Sequence, residues 1–338
     1  VTLTDPNFEH LRALTDSVGV FEHADWAKPR EECGYCVDDV ARALVVTVRQ
    51  PDYGNDTLRD LTDIYLSFLL GAQHSDGRFV NRRDRAGTWQ GHPEVADCWG
   101  RAMWALGLTA THHADPNSRA AALAAFTRAA RWRSQWRRPM AYAALGAAEV
   151  LQAYPQHSSA RKFLLAAVNR IGRPAENLEW PWPEPRLTYA NALLPEALIA
   201  AGVALREPTP ERDGLRLLAW LLDVETSADR LSVTPVGGRG PGERGPAYDQ
   251  QPIEVAALAE ACARAYDLTN SREWLAGLDL AAAWFTGRND NGSDLTGANG
   301  GGCDGLIASG RNENMGAEST IALLATQQQA QRCLVAIA

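Results

Sequence analysis

The chain of 338 residues has no run approaching the roughly 18–20 apolar residues of a membrane span, and no charged-then-apolar leader opens it. A cytoplasmic location without a membrane partner is therefore expected. Lysine is almost missing: apart from Lys28 and Lys162, every basic residue is arginine, a bias that says little about chemistry. Positive charge is not in excess either, since the formal net charge is -8. The densest basic stretch, Arg131-Trp132-Arg133-Ser134-Gln135-Trp136-Arg137-Arg138, lies in an acidic chain, which argues against nucleic acid as a partner. Cysteine is sparse, at six residues. Cys33 and Cys36 form one C-x-x-C, but no second Cys or His pair of matching spacing accompanies it. Neither a metal site nor a disulfide framework is expected, and the thiols read as small buried residues.

Convincing strands are also missing. Alanine-rich segments with 3.6-residue periodicity recur along the chain, separated by Gly, Pro and Asp turns. The periodicity predicts helices over about 6–18, 37–50, 56–73, 94–109, 116–133, 139–154, 157–171, 188–205, 209–224, 251–267, 271–286 and 314–332. No fixed-length repeat of the solenoid kind is present. Twelve helices with short connections predict an all-α fold of six hairpins closed into a single-domain (α/α)6 toroid over residues 1–338. In such a ring the even helices form the inner wall.

The segments that lead into the even helices are chemically distinct: GYCVDD, GTWQGHPEVADCWGR, SQWRRPMAY, ENLEWPWPEPRLTYAN, GERGPAYDQQPIE and GGCDGLIASGRNENMGAES. Carboxylates, amides, arginines and aromatics concentrate there, and a ring folds these starts onto one face. Sugars offer apolar C–H faces and hydroxyl rims, which such residues bind. Hydrolysis of a glycosidic bond needs a protonated carboxyl for the leaving oxygen and a second carboxylate for water or the anomeric carbon. The candidates are Asp38, Asp39, Asp97, Asp249 and Glu318. Expected sugar platforms are Tyr35, Trp89, Trp99, Trp180, Trp182, Tyr189 and Tyr248. Expected hydroxyl ligands are His92, Arg101, Asn191, Gln250, Gln251, Arg311, Asn312 and Asn314. Arg42 and Arg239, with Arg101 and Arg311, would also suit phosphate if phosphorolysis replaced hydrolysis.

Plainer roles compete. Asp38 could pair with Arg42, and Asp97 with Arg101, at i,i+4. Asp39 could cap its helix, although one helix start does not need two caps. Pro252 and Glu254 suit the first turn of a helix, so Glu254 reads as structural. Asn314 and Glu318, four apart, would share one helical face. The glycine-rich run from Gly297 to Gly305 reads as a lid or simply a long loop.

Taken together, GYCVDDVARAL, DCWGRAMWALG, YDQQPIEV and RNENMGAEST resemble a group of six-hairpin glycosidase-like proteins. Its members accompany or are fused to glycosyltransferases and lie near mannoside phosphorylases. The resemblance spans about residues 20–330 and implies an (α/α)6 toroid, carbohydrate work and a glycosyltransferase as a partner. More distantly, adjacent aspartates at an inner helix occur in (α/α)6 mannanases, which implies an active-site role for Asp38 and Asp39.

Other toroids fit less well. Sugar 2-epimerases use histidine, and all seven histidines, at 10, 23, 74, 92, 112, 113 and 157, precede the last inner-helix motifs. DDVAR lacks the third Asp of a terpenoid-cyclase magnesium motif. Cys303 is followed by Asp304, not by the His of a lanthionine-cyclase zinc site. The expectation is an inverting glycoside hydrolase with no cofactor, acting on an oligosaccharide, possible mannose content included. The alternatives are a non-catalytic carbohydrate-binding partner of a glycosyltransferase, or a phosphorylase or epimerase on the same fold.

Overall fold

A computed structural model describes residues 5–51 and 56–334. It contains the twelve expected helices in chain order. The odd ones are α1 Glu9–Ala13, α3 Asp56–Ala72, α5 Pro116–Ala129, α7 Ser158–Ile171, α9 Pro208–Glu225 and α11 Arg272–Phe285. The even ones are α2 Val37–Arg49, α4 Asp97–His112, α6 Arg137–Ala153, α8 Leu193–Leu205, α10 Pro252–Thr269 and α12 Ala317–Leu334. Local chemistry sets several boundaries. Asp115 caps α5 by accepting the Ser118 N–H at 2.8 Å, and Pro116 occupies its first turn. Arg206 and Asn270 end α8 and α10 in the left-handed conformation.

The even helices pack on one another in sequence, and α12 closes back onto α2. Each odd helix from α3 to α9 lies outside the even helix before it, α11 flanks both α10 and α12, and α1 rests on α12. The burial pattern gives the reason. Helix α7 buries Ala160, Phe163, Leu164, Ala167 and Ile171, one stripe at helical spacing. Helix α4 is buried continuously from Cys98 to Ala110 and must sit inside. This is the (α/α)6 toroid. Helices α4 and α6 approach closely through glycine: a Cβ on Gly107 would lie 2.4 Å from the Gly146 oxygen. One on Gly146 would lie 2.2 Å from the Met103 oxygen.

Short strands, unanticipated from the sequence, lie between the helices. The three-stranded set pairs Tyr35–Cys36, Arg82–Arg83 and Trp89–Gln90, and the others are two-stranded ribbons. At two or three residues each, they are too short for a period-2 pattern to register. The glycine-rich run is a packed loop and not a free lid. Its Asn299 oxygen accepts the His10 N–H at 3.0 Å, and a Cβ on Gly302 would lie 2.3 Å from the Ser319 oxygen. No helix among the described residues is long and apolar enough to cross a membrane.

Candidate active site

Because every inner helix runs the same way around the ring, their first turns meet at one mouth. Neither of the adjacent aspartates is spent as a cap; α2 has no side-chain cap hydrogen bond. Asp38 receives Arg101 Nη1 from α4 at 2.5 Å and Asn81 Nδ2 at 3.0 Å. Asp39 points inward and receives Arg42 Nη1 at 2.5 Å and the Cys36 thiol at 3.1 Å. The Asp38–Arg42 pairing expected at i,i+4 is thus replaced by Asp39–Arg42 at i,i+3, which leaves Asp38 to bridge to the next inner helix.

Two carboxylate–arginine–carboxylate clamps result. Arg42 holds Asp39 on one terminal nitrogen and Glu318 of α12 on the other, at 2.5 and 2.7 Å. Arg101 holds Asp38 at 2.5 Å and Asp97, one turn before it, at 3.6 Å. The carboxylates differ in access: the Asp39 side chain is 5% exposed, Asp38 19%, Asp97 22% and Glu318 37%. The proton affinities of Asp38 and Asp39 differ as well. Burial works against ionisation of Asp38. The charges of Arg101 and Arg42, with hydrogen bonds from Arg101 and Asn81, outweigh it and hold the carboxyl below its ordinary range. At Asp39 burial wins, aided by the Glu318 charge and only partly countered by Arg42, and the carboxyl is pushed up to about 6.

The next sector of the mouth is built on Tyr189, which donates to Asp97 at 2.7 Å and is 39% exposed. Arg138 of α6 stacks over its ring at 4.8 Å, bonds its backbone oxygen, and forks onto Glu184 at 2.9 and 3.0 Å. Asn191 accepts from Arg138 at 3.1 Å and from the Thr188 N–H at 2.9 Å. Glu254, at the start of α10, accepts the N–H groups of Ala190 and Asn191 and the Asn191 amide. Glu254 therefore has the structural role its position in the first turn implied. Below the clamps the bore narrows to a cavity of about 60 Å³ bordered by Tyr142, Trp104 and aliphatic residues of four inner helices, α2, α8, α10 and α12. Tyr142 and Trp104 stack with centroids 6.0 Å apart, between Arg101 on one side and Arg49 on the other.

The structure thus brings Asp38, Asp39, Asp97, Glu318, Arg101 and Tyr189 together. Arg101 is buried between carboxylates and serves as a clamp. Several other expectations require correction. Tyr35 is a core residue stacked on Phe21, with its hydroxyl on Asp16 at 2.6 Å. Trp99 is buried against Phe163, and Trp182 is buried against Trp220. Trp180 meets Trp220 edge-on and donates to the Glu184 oxygen, so the two-tryptophan loop is pinned to α9. Asn191 and Gln250 are fully buried, Gln250 donating to Asp290 and the Ala247 oxygen. Arg239 is buried on backbone carbonyls and has no room for phosphate. Asn314 precedes α12, so it shares no helical face with Glu318; its amide oxygen accepts the Trp26 N–H at 2.9 Å. Arg311 is forked onto Glu313.

Some expected residues lie outside the clamps. Asp249 is exposed, and among the described residues no hydrogen bond ties its side chain to either clamp. Trp89 is half-buried against Phe68, Tyr248 and Gln251 are half-buried beside α10, and His92 and Asn312 are exposed. Sequence reasoning overlooked Asn81, Tyr142 and the exposed Trp26. Tyr142 does fall in the segment leading into α6, four residues past Arg138, and that position was its signal. Trp26 sits on a ribbon far from α12 in sequence and gave none.

Glu22, Cys36 and Asp39 place one potential ligand atom each within 4.8 Å of one another. Arg82 already pairs with Glu22, and Arg42 with Asp39, so the donor set is matched to guanidinium rather than to a metal cation. Among the described residues the only histidine on an inner helix is His112, in the last turn of α4 at the opposite mouth.

No family model matches the chain, and no curated protein is similar to it in sequence. Solved structures share its fold. A sugar epimerase from a ruminal bacterium superposes with a TM-score of 0.73 at 11% identity, covering 97% of each chain. A D-mannose isomerase gives 0.66 at 9% identity, over 96% of this chain and 94% of the other. A cellulase of C. cellulolyticium in complex with cellobiose gives 0.59 at 8% identity, over 94% and 88%. At such identities the likeness is one of fold.

Proposed function

We propose that the chain is a glycoside hydrolase that holds an oligosaccharide at the mouth formed by the inner-helix first turns. The observation that carries this reading is the pair of arginine clamps, in which Asp38 and Asp39 have opposite proton affinities. Asp38 stays ionised on Arg101 and suits the base or nucleophile. Asp39 and Glu318 share one guanidinium, so two negative charges face a single positive one. Burial holds the proton at Asp39, and Glu318, the more exposed carboxylate on the same guanidinium, suits contact with the leaving oxygen. Asp97 and Tyr189 flank the pair and suit the sugar hydroxyls. Tyr189 and Trp26 offer exposed aromatic faces.

Epimerisation is the second reading, favoured by the full-length match to a sugar epimerase. It needs a base at the carbon that inverts. The absence of histidine from the inner-helix first turns counts against the imidazole form of that chemistry.

The test is proton NMR in D2O on manno- and gluco-oligosaccharides, with and without phosphate. Hydrolysis yields new reducing ends with no carbon-bound deuterium. Asp38→Asn and Glu318→Gln should each lower the rate about 10²–10⁴-fold. Deuterium at C2 without cleavage would replace hydrolysis by epimerisation. Sugar phosphate released only with phosphate present would make the enzyme a phosphorylase. Binding without any reaction would leave a carbohydrate-binding protein.

A further inference from the structure

The floor of the mouth has a chemistry unlike its rim. Directly beneath Arg42 and Glu318, the cavity of about 60 Å³ is walled by Val45, Ile253, Ala256, Ile321, Ala322 and Ala325. Most of the polar groups that border it are already engaged, although Arg42 Nε and Trp104 Nε1 are buried without a hydrogen-bond partner. Arg42 is held by Asp39 and Glu318, Glu196 by Arg264, and Glu260 by Arg49 and Gln329. A sugar hydroxyl pushed among these aliphatic walls loses water and meets carbon on most sides, which is unfavourable. A C–H surface entering it gains burial instead. The volume is several times the roughly 10–15 Å³ that one water needs and well below the roughly 150 Å³ of a cavity that binds benzene. It suits one or two methyl-sized groups.

We propose that this well is a specificity pocket for a methyl-bearing sugar, a ring whose hydroxyl is replaced by, or capped with, a methyl group. The hydroxyl rim of the sugar stays level with Glu318, Asp38, Asp97 and Tyr189, and the methyl points down the bore. The sugar-binding part rests on the reading above. The apolar character of the well does not.

The experiment uses the full chain with isoleucine δ1-methyl labels, read by NMR. Xenon is the first probe, because it needs an apolar cavity and no sugar contact. Saturable shifts should appear at Ile253 and Ile321 and stay absent at Ile64, Ile171 and Ile199. Ala322→Leu fills the space and should abolish them; Ala325→Leu, on the next turn, is the second variant in case the first does not fold. The second arm titrates 6-deoxymannose against mannose, and 3-O-methylglucose against glucose. Within at least one pair the methyl-bearing sugar should bind at least about fourfold more tightly, the value of one buried CH₂ group. That preference should vanish in the filled variant. Xenon shifts elsewhere, or equal affinity within both pairs, overturn the proposal. A retained preference in a protein that cleaves nothing overturns the hydrolase reading alone, and cleavage without preference overturns the well alone.

Discussion

Replacing Arg42 by methionine tests the electrostatic core of the site. The substitution keeps an unbranched apolar stem and removes the single cation that Asp39 and Glu318 share. Asp39 is fully desolvated and binds its proton more tightly folded than unfolded. The stability tied to its proton is fully present below the ordinary carboxylate value of 3.8 and is lost as the pH rises through about 6. At roughly 1.4 kcal/mol per pH unit, that loss amounts to about 3 kcal/mol by neutral pH in the wild type. Without Arg42 the strongest influence lowering the Asp39 proton affinity is gone, so the loss continues above pH 6. At pH 8 the variant leaves a buried carboxylate unpaired, which costs about 3–5 kcal/mol relative to wild type. At pH 4 Asp39 is protonated in both proteins, and the difference should shrink to about 1 kcal/mol. Urea unfolding at pH 4, 6 and 8 reads this directly, with the midpoint compared at a constant slope. A deficit that is the same at all three pH values would show that Arg42 acts through packing, and the charge account of the clamp would be wrong.

Other outcomes follow from the same geometry. Gly146→Ala places a Cβ against the Met103 oxygen and should destabilise the fold by about 1–3 kcal/mol in chemical denaturation, whereas Gly237→Ala, which meets nothing within 4 Å, should be nearly neutral. Asn191→Ala strips hydrogen bonds from buried Arg138 and Glu254 and should cost about 1–3 kcal/mol in stability, seen as a lowered melting temperature and not only as a raised KM. If Asp38 is the ionised partner and the proton held at Asp39 the acid, kcat/KM should fall on the alkaline side near pH 6, while its acidic limb lies below the ordinary carboxylate range; a profile still rising through pH 8 would contradict the assignment.

Asn191 shows why residue type does not give role. In the sequence it is an amide beside an aromatic in a polar segment, indistinguishable from a sugar ligand. Its burial between Arg138 and Glu254 depends on the placement of three separate elements. Trp99 and Trp182 fail for the same reason: an indole at or before the start of an inner helix serves core and ligand equally well, and only packing against Phe163 or Trp220 decides. Asp38 and Asp39 were legible because two adjacent carboxylates at the head of an apolar helix are more than a cap requires.

The sequence by itself determined the twelve helices and the polar character of the segments leading into the inner ones. These are local properties, carried by periodicity and turn chemistry within a dozen residues. The pairing of charges was decided by tertiary structure alone. Ring closure sets Arg101 against Asp38, 63 residues away, and joins Glu318 to Arg42 across nearly the whole chain. Two neighbouring aspartates thereby acquire opposite proton affinities, because Coulomb energy and desolvation depend on distance in space and not on distance along the chain.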